Sequence, residues 1–158
     1  MLVIAIVVYA AALIAANLLV AQFGPVVTGA NAFLLIGLDL ALRDWLHFRL
    51  RPWQMLLLIA ATGATTYALN PAAGVIAIAS ACAFSMSALV DWGVFAATRG
   101  SWLLRANVSN VAGSAVDSVL FPTIAFGALM PQIVLVQFAA KVVGGAAWAA
   151  LIGKLRKA

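Results

Sequence analysis

Apolar runs follow one another along nearly the whole chain, at about residues 2–22, 30–46, 53–69, 73–97, 106–127 and 131–152. Each approaches the about 20 residues that an α-helix needs to cross a hydrocarbon core about 30 Å thick at about 1.5 Å rise per residue. Pro52, Pro71 and Pro131 stand at the starts of three runs, where a missing N–H costs nothing, and Pro25 lies in the first connection. The pattern predicts an all-α integral membrane protein of six transmembrane helices, a single bundle spanning 1–158 with almost nothing left over for a soluble domain.

The polar positions between the runs predict an orientation. Phe23 to Gly29, Asn70 to Ala72 and Ala128 to Met130 carry no charge, whereas Arg49, Arg51, Arg99, Arg105, Lys154, Arg156 and Lys157 occupy the alternate ends. Positive charge stays cytoplasmic, so both termini are expected inside, with Trp45, Trp53 and Trp102 as an aromatic belt at the same boundary. His47, also there, reads as a snorkelling interface residue rather than a proton relay.

Composition strengthens the picture. The 158 residues are 66% hydrophobic and 8% charged, more apolar surface than a water-soluble domain of this length can hide. The formal charge of +5 would suit nucleic acid, but its placement at run ends assigns it to topology instead. The lone Cys82 excludes an intramolecular disulfide and a multi-cysteine metal site, and reads as a small buried residue. Met1 to Ala16 has no charge, so the first run lacks the basic start of a signal peptide and reads as a retained helix. Internal repeats are not evident.

Candidate chemistry lies inside the runs. All four acidic residues, Asp39, Asp44, Asp91 and Asp117, fall within or at the ends of them, and Asp39, Asp117 and Lys141 fall near mid-membrane. A charge at a helix centre costs about 2.5–3.5 kcal/mol, so Asp39, Asp91, Asp117, Arg43 and Lys141 left unpaired would cost about 15 kcal/mol. They must pair or face a wet cavity. Asn107, Asn110, Ser114 and Asp117 recur at helical spacing as one polar stripe leading to Phe121 and an expected kink at Pro122. Ser80, Phe84, Ser87 and Asp91, with Trp92 adjacent, share a face of the fourth run, and Gln137, Lys141, Gly144 and Trp148 a face of the sixth.

Each feature also has a plainer reading. Ser80, Ser87, Ser114 and Gly144 serve equally as helix-packing residues, and Ala11 with Ala15 or Ala12 with Ala16 as close-packing pairs or a docking face for another subunit. Asp117 with Lys141, or Asp39 with Arg43 one turn away, would serve as structural ion pairs. Asp39 to Asp44 (DLALRD) is similar to acidic motifs of lipid-head-group transferases but lacks their second acidic cluster. No His or Cys cluster and no Ser, His and Asp constellation supports an enzyme, and no metal or cofactor is expected.

The stretch 88–127, ALVDWGVFAATRGSWLLRANVSNVAGSAVDSVLFPTIAFG, resembles the core of the vitamin-uptake-transporter family, best known as queuosine-precursor transporters. Asp91, Ser109, Asp117, Ile124, Ala125 and Phe126 carry the resemblance, with Asn17–Leu18, Asp39 to Arg43 (DLALR) and Lys141–Val142 agreeing in order. Ser114 stands where some members carry asparagine. The resemblance implies six helices and import of 7-deazaguanine bases such as 7-cyano-7-deazaguanine across a prokaryotic inner membrane.

A guanine-like edge offers adjacent N–H donors that a carboxylate accepts in pairs, and its flat face stacks on an aromatic ring. The expected substrate-binding set is Asn17, Asp39, Asp91, Trp92, Asn110, Ser114, Asp117 and Lys141, with Phe84 and Phe121 as alternative stacking rings and Arg43 in a structural ion pair. The partners are a purine-like small molecule and the bilayer, without nucleic acid; a homodimer and proton coupling stay open. Two alternatives remain: a substrate-binding subunit similar to those of energy-coupling-factor transporters, needing an ATPase module, and a structural or regulatory membrane protein.

Overall fold

Helices form wherever the sequence is apolar and stop where it supplies proline, glycine or asparagine. The computed structural model describes residues 2–47 and 49–155; Met1, Phe48, Arg156, Lys157, Ala158 and the side chains of Asp44, His47 and Leu155 lie outside the described residues. The sequence readings of Asp44, His47, Arg156 and Lys157 fall there.

Helix α1 is Leu2–Phe23, and a 3₁₀ turn, Gly24–Val27, leads into α2, residues 28–47. Then follow α3 (Pro52–Leu69), α4 (Gly74–Ala97, behind a 3₁₀ turn Pro71–Ala73), α5 (Trp102–Phe126) and α6 (Pro131–Leu155). Among the described residues there is no strand. Gly24 (φ +67°) and Gly127 (φ +70°) adopt the left-handed backbone that ends α1 and α5, which side chains with a Cβ resist. Asn70 closes the turn before α4 by accepting the Ala72 N–H at 3.1 Å. Ser101 accepts the Leu104 N–H at 3.3 Å and so starts α5 at Trp102, four residues earlier than its apolar run suggests.

One element has no signature in the hydrophobic pattern. Within α2, the α-helical turn Thr28–Asn31 passes into a π-helical stretch, Ala32–Ile36, before α-helix resumes over Gly37–His47. Such wide turns gather at functional sites.

Three helical runs, Leu2–Arg43, Pro71–Ala97 and Pro131–Lys154, are long and apolar enough to cross a membrane. The first folds back on itself as a hairpin, since Asn31 Nδ2 donates to the Ala16 carbonyl at 3.1 Å. Ile4, Val7, Leu57, Ile78, Leu135 and Val143 face outward while Asp39, Arg43, Asp91, Asp117 and Lys141 are buried. That inversion of the water-soluble arrangement makes lipid the solvent, and this is a membrane protein. Cys82 belongs to the outward face, contrary to its expected burial.

Tight seams hold the helices. A Cβ on Gly144 would stand 2.3 Å from the Phe33 carbonyl oxygen, and one on Gly37 2.7 Å from the Gly144 backbone, so α2 and α6 touch main chain to main chain. Ser87 on α4 donates to the Gly113 carbonyl of α5 at 2.9 Å. Ala12 and Ala16 are buried on the inner face of α1, whereas Ala11 looks outward. One apolar cluster gathers Tyr9, Leu13, Leu40, Leu46, Ile59 and Phe84; a second joins Val20, Ile76, Ala83 and Phe121 toward the end carrying the uncharged turns.

Candidate functional site

The buried face of α5 explains where polar groups meet. Ala106, Ser109, Asn110, Gly113, Ser114, Asp117, Ser118 and Phe121 recur at three- and one-residue steps, so small and polar side chains fill two adjacent columns along one side. Asn107 does not join them: its amide turns back to the Leu103 carbonyl at 2.8 Å. Pro122 sits inside the helix and supplies no N–H for the Ser118 carbonyl one turn earlier.

Lys141 of α6 organises the first cleft. Its ammonium donates to Asp117 Oδ2, to Gln137 Oε1 at 2.8 Å and to Ser118 Oγ at 3.3 Å, which uses all three of its protons. Gln137 must turn its oxygen toward the ammonium, so its Nε2 is left without a partner, as is Asp117 Oδ1. A buried acceptor and a buried donor, each on a group held by Lys141, are thus left unsatisfied. Around them lie Asn17 of α1, Thr28, Asn31, Ala32 and Ile36 of α2, Ser80 and Phe84 of α4, and Phe121 of α5. Asn17 is steadied by Thr66, whose hydroxyl oxygen accepts from Nδ2 at 3.5 Å. The π-helical stretch forms one wall. The cleft is narrow, with room for about one water molecule.

A second cleft lies at the end of the bundle bearing Arg49, Arg51 and Arg99. Arg43, Leu50, Pro52, Met55, Ala88, Asp91 and Trp92 line it. Arg43 Nε lies 3.3 Å from Asp91 Oδ2, and its Nη2 donates to Ser87 Oγ at 3.2 Å. Arg43 therefore pairs across helices with Asp91, and the expected partnership with Asp39 one turn away is corrected: neither Asp39 oxygen has a hydrogen-bond partner among the described residues. The long guanidinium arm reaches past its own helix face to a carboxylate on α4. At the same end, the Arg49 guanidinium stacks 3.7 Å above the Trp45 ring, and the Arg105 guanidinium stands 4.2 Å from the centre of the Phe95 ring.

The expected residues therefore divide. Asn17, Asp117 and Lys141 meet in the first cleft; Asp91, Trp92 and Arg43 meet in the second. Asp39 and Ser114 stand along their helices between the two groups, with Asn110 one turn beyond Ser114, and all three are buried and line neither cleft. Trp92 is 44% exposed, so the rings beside Asp117 are Phe84 and Phe121. The substrate-binding set did not include Gln137, Thr66, Asn31 and Ser118. Gln137 with Lys141 and Thr62 with Thr66 carry an i, i+4 signal; Asn31 and Ser118 carry none.

The model of the family described as "Putative vitamin uptake transporter" matches residues 2–152. No curated protein and no solved structure matches the chain. The match takes in every residue of both clefts, and the chain belongs to the vitamin uptake transporter family.

Proposed function

We propose that the chain imports queuosine precursors, 7-deazaguanine bases such as 7-cyano-7-deazaguanine, as a secondary transporter working by alternating access. The carrying observation is the Asp117–Lys141–Gln137 group, which leaves one carboxylate oxygen and one amide nitrogen unpartnered in a cleft that Phe84 and Phe121 also line. Asp117 would accept from the N–H edge of a guanine-like base, Gln137 Nε2 would donate to its carbonyl, and a phenyl face would take the ring. Lys141 fixes both polar groups while its own protons are spent.

In this reading α1 to α6 each span the inner membrane of a prokaryotic cell, with both termini cytoplasmic. Arg49, Arg51, Arg99, Arg105 and Lys154 at one end, against uncharged turns at the other, support that orientation. The first cleft then lies toward the outside and the Arg43–Asp91–Ser87 cluster toward the cytoplasm. A cleft with room for about one water molecule is a closed state, so a bicyclic base enters only when the helices around it part.

Restoration of queuosine in the tRNA of a precursor-requiring bacterium tests the substrate class. Rescue by the wild-type chain and none by Asp117→Asn, at equal membrane levels, is the expected result; equal rescue by both removes Asp117 from the mechanism. Uptake by the purified chain alone in liposomes separates this reading from a binding subunit that depends on an ATPase module.

A further inference from the structure

Among the described residues, the buried ionisable groups do not balance. Asp39, Asp91 and Asp117 face Arg43 and Lys141; Arg43 is engaged by Asp91, and Lys141 by Asp117. The surplus negative charge therefore falls on Asp39. This residue is 0% exposed, and both of its oxygens lack a hydrogen-bond partner among the described residues.

Its surroundings make an ionised carboxylate untenable. Within electrostatic range of it are the buried Tyr9 on α1, Arg43 on its own helix, Asp91 on α4 and Asp117 on α5. From α6 the titratable group is Lys141, saturated by its three acceptors. The buried positions of α3, Met55, Ile59, Thr62 and Thr66, add none. Two of these neighbours are carboxylates of the same sign. A buried charge without a hydrogen bond or counter-ion of its own is among the most unfavourable states in a protein, whereas a neutral carboxyl group removes the conflict.

We propose that Asp39 is a proton-binding site, neutral in this conformation, through which proton movement is coupled to the movement of substrate. The inference rests on the transport reading above. When the cytoplasmic cleft opens, the O–H bond of Asp39 breaks, its electron pair stays on the carboxylate, and the proton passes to water in that cleft. Arg43, one turn along the same helix, then supplies the counter-charge by leaving Asp91 for Asp39. Return to the outward-open state reverses the exchange, and Asp39 takes a proton from the outer side.

The site is tested on the purified protein by infrared spectroscopy at neutral pH. Wild type is expected to show the carbonyl stretch of a buried neutral carboxylic acid, lost in Asp39→Asn and displaced but present in Asp39→Glu. A spectrum unchanged by both substitutions shows an ionised Asp39 and overturns the proposal. Coupling is tested in liposomes with 7-cyano-7-deazaguanine and a gradient of one pH unit, acid outside. One proton per base gives about tenfold accumulation in wild type, and Asp39→Asn is expected to show none. Equal accumulation by the variant, or accumulation driven by a sodium gradient alone, overturns it. If wild type takes up no base, the importer reading fails, and the infrared band still decides whether Asp39 holds a proton.

Discussion

Lys141 is the side chain on which the first cleft depends. Lys141→Met would leave Asp117 buried without its counter-charge, and truncating one partner of such a pair costs about 3–5 kcal/mol. A clear fall in thermal unfolding temperature in detergent is expected, and the double variant Asp117→Asn, Lys141→Met should recover much of it, because no charge is then orphaned. Uptake should stay abolished in the double variant, which separates stability from function. The sequence exposed this pair because Asp117 and Lys141 sit at mid-run, where charge is intolerable alone. It did not expose the partner of Arg43: spacing shows which residues share a helix face, and Asp39 lies one turn away, but the guanidinium reaches Asp91 on another helix. Cys82 was misread for a related reason, since small size allows burial without compelling it.

At the scale of elements, the main-chain contact between α2 and α6 leaves no space for a side chain. Gly144→Val would drive a Cβ to within 2.3 Å of the Phe33 carbonyl oxygen, so the helices must separate. A loss of at least about 1–3 kcal/mol is expected, read as lower yield and earlier thermal unfolding, with Gly93→Ala, which meets nothing within 4 Å, as the neutral control. The π-helical stretch Ala32–Ile36 carries one residue more per turn than an α-helix, so deleting Leu34, whose side chain faces outward, restores α-helical register on one side of the cleft. Membrane insertion is expected to survive and uptake to fail, measured on the same cells. Helix positions were legible because apolar length and proline placement dictate them. The wide turn was not, because an apolar stretch such as Ala32–Ile36 reads the same in an α-helix and in a π-helix, and its geometry answers to packing on α6.

For the molecule as a whole, the disposition of charge makes an accessibility prediction. Cys82 faces outward, so it is first replaced by alanine. An impermeant thiol reagent applied to intact cells should then label Val26→Cys and Ala128→Cys, and label Arg99→Cys only after permeabilisation. The opposite pattern would invert the orientation. Membrane residence and the polar stripe on α5 followed from composition and periodicity, but the division of the candidate residues into two clefts did not. That division depends on how α2, α4 and α5 rotate about their own axes, and Gly113, Gly37 and Gly144 set those rotations through contacts between residues far apart in the chain. The uncharged end has a mechanical consequence. Its turns, Gly24–Val27, residues 70–73 and residues 127–130, are four residues each, too short to fold over the mouth as a flap. Under the import reading, admission of cargo on that side must come from whole rods leaning apart, and a staple between two rod tips there would trap the carrier shut with its pocket chemistry untouched.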